Sequence, residues 1–411
     1  MNCGWKIKKL GEICEIQLGK TPARANSSFW DREKETGNIW LSIADLLNVD
    51  GHRAIDSKEY LSNEGAKLCK RVKKGTLLVS FKLTLGRLAY AGRDLFTNEA
   101  IAALTINDEC ELSREYLFYF LQFFDWEKEA RDDVKLKGMT LNKAKLKNIG
   151  VSIPSMAEQK RIVAILDEAF AGIDTAIANT EKSLANVREL FHSYIHSWFN
   201  VRPAAWPQRN LEALTDVQSG GTPLKSKKEY WGGKVPWYSS GELNRLHTVE
   251  PKDCITALGV KESNAKVFPP GSLLVGMYDT AAMKMSILDR EAAFNQAIAG
   301  LRPTENLDLR FVMFALNAMK PAILGLRRGV RQKNLSLRKI KDIQIPVPAL
   351  KEQTHVAEQI LGFKQEISHL ELIHQRKMNA LVELKQSLLQ KAFSGELTAD
   401  RAEQEVESAT A

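Results

Sequence analysis

The sequence predicts an α+β protein built from two related units, each consisting of a globular domain followed by a long helix. Three observations support this fold class. The chain of 411 residues repeats a series of motifs at a nearly constant spacing. Within each copy, short apolar runs alternate with glycine and proline, which is typical of short strands mixed with helices. Each copy then continues into a long proline-free stretch with helical periodicity.

The internal repeat begins near the N-terminus. Residues 5–22 align with residues 206–223 at a constant offset of 201. Later matches occur in the same order, and the offset falls slowly to 194 between residues 141–159 and 335–353. One match could arise by chance, whereas matches in a shared order indicate a duplication. The identical pairs in the first segment are Trp5 and Trp206, Leu10 and Leu211, Gln17 and Gln218, Gly19 and Gly220, Thr21 and Thr222, and Pro22 and Pro223.

Two kinds of strand are predicted in each copy. Leu77–Val79 and Leu273–Val275 are short apolar runs, as expected of buried strands. Residues 149–153 and 343–347 alternate between apolar and other residues, and a proline follows each segment. Because proline has no N–H to donate to a ladder, each segment is predicted to be a strand that ends there, just before the long helix.

The long helices are predicted from Met156 to Phe199 and from Leu350 to Phe393. About 43 residues at 1.5 Å per residue give roughly 65 Å for each helix. Apolar residues recur at steps of 3, 4 and 7, which predicts a seam along which the helices pack as a coiled coil. The predicted seam consists of Phe170, Ile173, Ile177, Leu184, Val187, Phe191, Tyr194, Ile360, Phe363, Ile367, Leu370, Leu381, Leu384 and Leu388.

The arrangement of the two units is predicted to be pseudo-twofold. Duplicated units often adopt such symmetry, because a twofold axis lets one surface meet its own copy. The two helices would then run antiparallel, with one globular domain at each end. The alternative is that each helix only caps its own domain.

The composition is typical of a soluble globular protein, with 44% apolar and 26% charged residues. No run of about 18 apolar residues occurs, so we expect no membrane span. The five cysteines are scattered and form no Cys-x-x-Cys pair, which disfavours a disulfide framework or a zinc site and suggests a cytoplasmic protein. The net charge of +8 favours an anionic partner such as nucleic acid.

Known catalytic motifs are missing from the sequence. It contains no G-x-x-x-x-G-K-[ST] phosphate loop, no Asn-Pro-Pro or Asp-Pro-Pro motif of an amino-methyltransferase, and no Pro-Asp pair of a metal nuclease. His192 and His196 have a spacing that can hold a metal, but two polar positions on one helix face are the simpler interpretation. We therefore predict no catalytic residue and no metal site.

Basic side chains cluster in three windows, at residues 67–87, 135–147 and 327–341. The third window combines arginines with Gln332 and Asn334, a set that can hydrogen-bond base edges while lysines hold phosphates. A solvated surface is the alternative for each cluster. The candidate DNA-binding residues in these windows are Lys82, Arg87, Lys135, Lys137, Arg327, Arg328, Arg331, Gln332 and Lys333.

Two Gly-x-Thr-Pro loops, at residues 19–22 and 220–223, also repeat, and basic residues follow each of them. Two interpretations stay open for these loops. They are either turns that hold the domain together or loops on a DNA-facing surface. The candidate DNA-binding residues beside them are Arg24, Lys225, Lys227 and Lys228.

A family resemblance follows from three of these motifs. The segment Ile153-Pro-Ser-Met-Ala-Glu-Gln159 recurs as Val347-Pro-Ala-Leu-Lys-Glu-Gln353, so a strand, a proline, a Glu-Gln pair and a long helix occur in order. This pattern resembles the specificity subunit of type I restriction-modification systems. The opening Leu-Gly-Glu-Ile with its Gly-Lys-Thr-Pro loop, and the ending Phe-Ser-Gly-Glu-Leu-Thr398, are similar to the same family. The similarity covers nearly the whole chain.

The resemblance implies a specific division of the chain. Target recognition domains are expected at residues 1–154 and 201–348, long helices at 155–200 and 349–395, and a C-terminal tail at 396–411. Each domain would read one half of an asymmetric, bipartite DNA site, and the helices would set the gap between the halves.

The resemblance also implies the partners. Two methyltransferase subunits and the restriction subunits would dock on the chain, and they would bind S-adenosylmethionine, ATP and magnesium. The chain itself would bind double-stranded DNA without catalysis. The alternatives are a non-specific DNA-binding or coiled-coil scaffold protein, and an enzyme with an unrecognised site.

Overall fold

The structure is a computed structural model that describes residues 5–47, 49, 51–131, 134–135, 138–201, 206–325 and 334–398. The chain divides into two units. The first is formed by the residues before Thr180 together with those from Lys377 onward, and the second by Thr180–Arg376. Each long helix therefore contributes one part to each unit. Among the described residues, no helix combines the length and the apolar character needed to cross a membrane.

The described part of the first unit contains short strands and helices followed by one long helix. Its strands are β1 (Lys6–Lys9), β2 (Cys14–Leu18), β3 (Ile39–Leu41), β4 (Arg53–Ala54), β5 (Glu59–Tyr60), β6 (Leu77–Ser80), β7 (Lys82–Leu83), β8 (Leu88–Ala91), β9 (Phe96–Thr97), β10 (Ile101–Ile106), β11 (Val134–Lys135), β12 (Gly138–Thr140) and β13 (Gly150–Ile153). Its helices are α1 (Leu10–Ile13), α2 (Asn63–Lys67), α3 (Arg114–Phe123), α4 (Trp126–Glu129), α5 (Lys143–Asn148) and the beginning of α6 (Met156–His196).

The main sheet of the first unit is five-stranded, with the order β2-β10-β6-β8-β4. Two three-stranded sheets, β5-β3-β9 and β11-β12-β7, and the antiparallel pair β1-β13 accompany it. Helix α3 belongs to the core of this unit, where the fully buried Leu117 and Leu121 share one cluster with Val79 and Leu104 of the main sheet. The mixture of sheets and helices confirms the predicted α+β class.

The described part of the second unit follows the end of α6, which continues as a turn of π-helix at Ser197–Val201. Its strands are β14 (Gln208–Asn210), β15 (Val217–Ser219), β16 (Trp231–Tyr238), β17 (Asp253–Ile255), β18 (Leu273–Gly276), β19 (Met285–Ile287), β20 (Ala293–Phe294), β21 (Ile298–Leu301) and β22 (Gln344–Pro346). Its helices are α7 (Leu211–Leu214), α8 (Ala257–Lys261), α9 (Leu309–Ala318), α10 (Lys320–Gly325), α11 (Leu337–Lys341) and the beginning of α12 (Leu350–Ser394).

The second unit repeats the topology of the first. The sheet order β15-β21-β18-β19 corresponds to β2-β10-β6-β8, β17-β16-β20 corresponds to β5-β3-β9, and β14-β22 corresponds to β1-β13. The predicted duplication is confirmed at the level of strand order, and the alternating segments predicted before the long helices are the strands β13 and β22. Strands β7, β11 and β12 of the first unit have no counterpart among the described residues of the second, and the parallel pairing of β4 with β8 recurs there only as a single bridge between His247 and Ile287.

A buried glutamine fixes the start of α6. The Gln159 side chain is fully buried, and its amide nitrogen donates to the carbonyl oxygens of Pro154 at 3.0 Å and Glu111 at 2.8 Å. Its amide oxygen accepts a hydrogen bond from the backbone N–H of Ser113 at 2.9 Å. Ser113 is the N-cap of α3. One side chain therefore joins the end of β13, the start of α3 and the first turn of α6.

The same arrangement fixes the start of α12 in the second unit. The amide nitrogen of Gln353 donates to the carbonyl oxygens of Pro348 at 2.9 Å and Asn306 at 3.4 Å. Its oxygen accepts from the backbone N–H of Asp308, the N-cap of α9, at 3.0 Å. The glutamine of the repeated Glu-Gln motif thus has the same structural role twice, because each amide satisfies backbone groups that would otherwise be buried without partners.

In the first unit, the beginning of α6 packs antiparallel against the end of α12. Thr398, just beyond α12, donates a hydrogen bond to Glu158 at the start of α6, and Lys385 forms an ion pair with Asp174 further along. Lys385 also lies 4.9 Å from the ring centroid of Phe170. Of the predicted seam residues in this unit, Phe170 and Ile173 are buried, and Ile177, Leu381 and Leu388 are half-buried.

The last turn of α12 is anchored on α3 of the first unit. The Phe393 ring lies 5.4 Å from Tyr116, 5.4 Å from Phe120 and 5.2 Å from Phe123, measured between ring centroids. The helix then stops at Gly395, whose φ of +83° suits glycine, and the end of the recognisable Phe-Ser-Gly-Glu-Leu-Thr motif turns back towards α6. The contacts of this motif therefore end α12 and anchor it on the first unit.

In the second unit, the end of α6 packs antiparallel against the beginning of α12. The rings of Tyr194 and Phe363 are 4.2 Å apart between centroids, and Arg188 Nε lies 2.8 Å from Glu371 Oε1. Phe199 beyond α6 contacts Phe311 of α9 with a centroid distance of 5.2 Å, which mirrors the anchoring of α12 on α3. Of the predicted seam residues in this unit, Ile360 and Ile367 are buried, and Leu184, Val187, Phe191, Tyr194 and Phe363 are half-buried.

Two predicted seam residues of α12 lie outside the packed face. Leu370 is 38% exposed and Leu384 is 47% exposed. In the second unit the packed face passes from Ile367 to Glu371, and in the first unit it passes from Leu381 to Lys385, a step of four residues in both cases. Glu371 and Lys385 each form an ion pair with α6. These two charged residues therefore lie on the packed face of α12, where the apolar pattern had predicted Leu370 and Leu384.

Replacing Gln159 with leucine should lower the free energy of unfolding of the first unit by about 1–3 kcal/mol, because the backbone groups that the amide satisfies stay buried without partners. Urea unfolding followed by circular dichroism measures this effect. The control is Gln386→Leu, an exposed glutamine of α12 in the same unit, which should change the free energy of unfolding by less than about 0.5 kcal/mol. An unchanged midpoint for Gln159→Leu would contradict the structural role of this residue.

Candidate nucleic-acid interface

In each unit, a backbone hydrogen bond joins a loop of the main sheet to the segment that precedes a short helix. The β6–β8 loop (residues 81–87) and the β18–β19 loop (residues 277–284) occupy equivalent places. The backbone N–H of Leu141, before α5, donates to the carbonyl oxygen of Phe81 at 2.9 Å. Likewise, the N–H of Leu335, before α11, donates to the carbonyl oxygen of Met277 at 2.8 Å. Each pair of fastened segments lies beside predicted DNA-binding residues.

In the first unit, this arrangement brings two of the predicted basic clusters together. Strand β7 lies in the β6–β8 loop and pairs with β12, so that Lys82 lies opposite Thr140. Strand β12 pairs in turn with β11, which contains Lys135. Lys82 therefore shares a small sheet with the backbone of the second cluster, and Arg87 lies at the end of the same loop. Lys137 lies outside the described residues.

The equivalent predicted cluster of the second unit begins at Arg327. Arg327, Arg328, Arg331, Gln332 and Lys333 lie outside the described residues, so their role in DNA binding stays a prediction. The chain is described again from Asn334, and the hydrogen bond of Leu335 follows directly.

The two Gly-x-Thr-Pro loops are fastened by the same contacts. A methyl group on Gly19 would overlap the carbonyl oxygens of Thr97 and Asn98, and one on Gly220 would overlap those of Phe294 and Asn295, so only glycine fits. Thr21 donates a hydrogen bond to Glu99, and Thr222 donates to Gln296. These contacts support the interpretation of the loops as turns that hold the domain together. Their position on a DNA-facing surface stays a prediction.

Two tryptophans that the sequence comparison did not single out complete these turns. The indole N–H of Trp40 donates to the carbonyl oxygen of Lys20, and that of Trp237 donates to the carbonyl oxygen of Gly221, both at 3.0 Å. Both tryptophans are buried in β3 and β16. Extending the repeat alignment through the region between the matched motifs would have paired them, because they occupy the same strand of each copy.

Arg24 and Lys227 are occupied by contacts within their own units. The Arg24 guanidinium lies 4.5 Å from the ring centroid of Trp30 and 4.8 Å from that of Trp40, and it forms an ion pair with Glu59. The Lys227 ammonium donates to the hydroxyl of Tyr230 at 2.9 Å, and this hydrogen bond raises the pKa of Lys227. Lys225 and Lys228 are exposed. Arg24 and Lys227 are exposed as well and differ from that pair in the contacts given above, and DNA binding by all four residues stays a prediction.

A polar cleft adjoins the Gly-x-Thr-Pro loop of the second unit. It has a volume of about 470 Å³, and Asn264, Lys266 and Gln296 contribute to its lining. In the first unit, the partner of the equivalent threonine is the carboxylate of Glu99 rather than an amide. The two copies thus keep the same loop but present different chemical groups beside it.

The histidine pair on α6 does not form part of a metal centre in the described structure. Within the described ranges, no group of three or more His, Cys, Asp or Glu side chains is placed to hold a metal ion.

A family model for the type I restriction modification DNA specificity domain matches residues 2–184 and again residues 203–377. The two matches cover most of the chain and correspond to its two copies. The chain belongs to the type I restriction-modification specificity family. The resemblance found in the sequence motifs is therefore confirmed.

Individual members of this family align along the chain. A type I restriction enzyme specificity subunit of Escherichia coli is 25% identical over 281 residues, which cover 64% of this chain and 66%, just under two thirds, of the relative. A type I restriction enzyme specificity subunit of Methanocaldococcus jannaschii is 22% identical over 428 residues, which cover 96% of this chain and 93% of the relative. Both relatives are named as specificity subunits of type I restriction enzymes.

A solved structure from work on the assembly and conformational transition of a type I restriction-modification system has a similar fold. The TM-score is 0.78 with 18% sequence identity, and the match covers 97% of this chain and 99% of the other. The likeness shows a shared fold over nearly the full length.

Replacing Lys225 and Lys228 together with glutamine should weaken binding to specific and random duplexes about equally, because phosphate contacts carry no sequence information. The slope of log affinity against log salt should fall by about 0.9 for each phosphate that the variant no longer neutralises. Salt-titrated binding measures both effects. Arg24→Gln is the contrasting variant, and it should lower the melting temperature because the guanidinium stacks on two tryptophans. An unchanged salt slope in the double lysine variant would contradict a DNA-facing position for these residues.

Proposed function

We propose that this chain is the DNA-reading, non-catalytic subunit of a type I restriction-modification complex and that each of its globular domains reads one half of a bipartite site. Residues 1–154 and 201–348 are proposed as the two recognition domains. The single observation that carries the proposal is a specificity domain that occurs twice with one framework and two different sets of loops.

The shared framework supports a common way of presenting loops. The same strand order, the same buried glutamine and the same fastened Gly-x-Thr-Pro turn occur in both units. The loops that this framework carries differ. The β6–β8 loop forms part of a three-stranded sheet, whereas the β18–β19 loop contains a short 3₁₀ helix at Asp279–Ala281. Different loops on one framework are expected to read different base sequences, so the two half-sites should differ.

The charge of the candidate surface suits duplex DNA. Positive side chains beside the β6–β8 loop can hold phosphates, and donors in the loops can reach base edges in the major groove. A split site requires two readers held at a set spacing along the duplex, because the same face of B-DNA recurs about every 34–36 Å. We propose that α6 and α12 provide this spacing as a pair and thereby set the gap between the half-sites.

The chemistry of the complex is proposed to reside on partner chains. Two methyltransferase subunits would bind S-adenosylmethionine, and restriction subunits would use ATP and magnesium. The two-fold repetition of the framework supports two copies of one methyltransferase subunit, because each copy of the framework offers one equivalent surface. The complex is proposed to act in the cytoplasm.

Exchanging residues 1–154 for the corresponding domain of another family member should change one half-site and leave the other half-site and the gap unchanged, because each domain carries its own loops. Sequencing-based mapping of methylated bases, in cells that express the chimaera with its methyltransferase partner, measures the result. The matched control is the exchange of residues 201–348, which should change the other half-site. If either exchange altered both halves, the assignment of one reader to each domain would be wrong. A non-specific DNA-binding protein would give no recognition sequence in any of these experiments.

A further inference from the structure

Leu83 occupies an unusual position in the first unit. It is an exposed apolar residue, with 51% of its surface accessible, at the end of β7 in a basic loop. Its φ of +66° lies in the left-handed region, which disfavours a side chain with a Cβ. Such a conformation costs of order 1 kcal/mol or more and recurs at sites of function. Leu83 therefore pairs with Met139 in the β7–β12 ladder while it exposes an apolar side chain on a disfavoured backbone conformation.

The loop around Leu83 is closed by hydrogen bonds between its own residues. The Ser80 hydroxyl donates to the carbonyl oxygen of Thr84 at 2.5 Å and accepts from the backbone N–H of Arg87 at 2.9 Å. The N–H of Gly86 donates to the carbonyl oxygen of Ser80 at 2.9 Å, and a methyl group on Gly86 would overlap the ring of Trp126. The loop is therefore closed by its own hydrogen bonds and packs against Trp126.

Arg87, in the same loop, has an unsatisfied donor. Its Nε is buried and has no hydrogen-bond partner within the described part of the chain. Buried donors normally have partners, so the Arg87 guanidinium is only partly satisfied by its own loop. Lys82 and Arg87 flank the exposed leucine, and no acidic residue occurs from residue 67 to residue 87, so this loop offers an apolar contact between positive charges to an anionic ligand.

We infer that Leu83 is a specificity-determining residue of the first recognition domain and contacts the C5-methyl group of a thymine in duplex DNA. This inference rests on the proposed function. In the major groove the thymine methyl is the apolar feature of the base edges, and apolar side chains read it by contact. Phosphates flanking the thymine suit Lys82, and the Arg87 guanidinium can donate to DNA. The β18–β19 loop of the second unit has no leucine at the corresponding place, so this contact belongs to one half-site only.

The test compares three versions of the full chain, each assembled with its methyltransferase partner: the natural sequence, Leu83→Gly and Leu83→Ala. Each is bound to duplexes of the mapped recognition sequence in which one thymine at a time is replaced by deoxyuridine, which removes only the methyl group. The natural protein should bind about fourfold more weakly when one particular thymine of the first domain's half-site is replaced. Both variants should be insensitive to that replacement and keep their sensitivity to the other half-site.

Thermal melting separates a reading role from a structural role. Leu83→Gly should melt at the same or a higher temperature than the natural protein, since glycine adopts a positive φ without strain. Leu83→Ala keeps the strain and should lose the methyl discrimination without any rise in melting temperature. Ile7→Ala, which shortens a side chain that is 70% exposed in β1 of the same unit, is the control and should leave the discrimination unchanged.

Three results would overturn the inference. They are a half-site without any methyl-sensitive thymine, variants that keep the discrimination, and a Leu83→Gly protein that melts at a lower temperature. If the natural protein showed no preference for any sequence, the proposed function would fail as well, and that outcome is distinct from a specific reader that is indifferent to Leu83.

Discussion

The hydrogen bonds of two buried glutamine side chains are the interaction on which the rest of the structure depends. Each amide sits where a strand, a short core helix and a long helix meet, and each satisfies three backbone groups. Because these groups come from the end of the strand and from the segment that leads into the core helix, the direction in which the long helix leaves the domain is set by the domain core. Anything that the domain presents on its loops is thereby tied to the helix. A side chain of another length or without an amide could not join the same segments.

The two units share one framework and differ in the loops that it carries. Strand order, the glycine-dependent turn and the tryptophan beneath it are the same in both copies, whereas the β6–β8 and β18–β19 loops and the groups at Glu99 and Gln296 differ. Duplication followed by divergence of the loops gives one scaffold with two surfaces. The helices also link the copies, since each begins in one unit and ends on the aromatic core of the other, at Phe199 and Phe393.

Much of this fold was predictable from the sequence. The repeat, the strands before the prolines and the start of each long helix follow from local patterns, and the start of each helix agrees with the structure. The seam was wrong at Leu370 and Leu384, because an apolar pattern cannot anticipate that Glu371 and Lys385 turn inward to form ion pairs. The left-handed conformation of Leu83 could not be predicted either, since it results from the closure of its loop by Ser80. Arg24 was predicted to contact DNA because it is a basic residue beside a repeated loop. Its contacts with Trp40 and Glu59 could not be predicted, because these partners are distant in sequence.

The most direct test of two readers on one frame is to map the methylated bases in the genome of cells that carry this chain and its methyltransferase partner. A single recognition sequence is expected, made of two different half-sites separated by a gap of fixed length and unspecified sequence. A palindromic sequence would contradict the divergence of the two readers, and a continuous sequence without a gap would contradict the role of the helix pair.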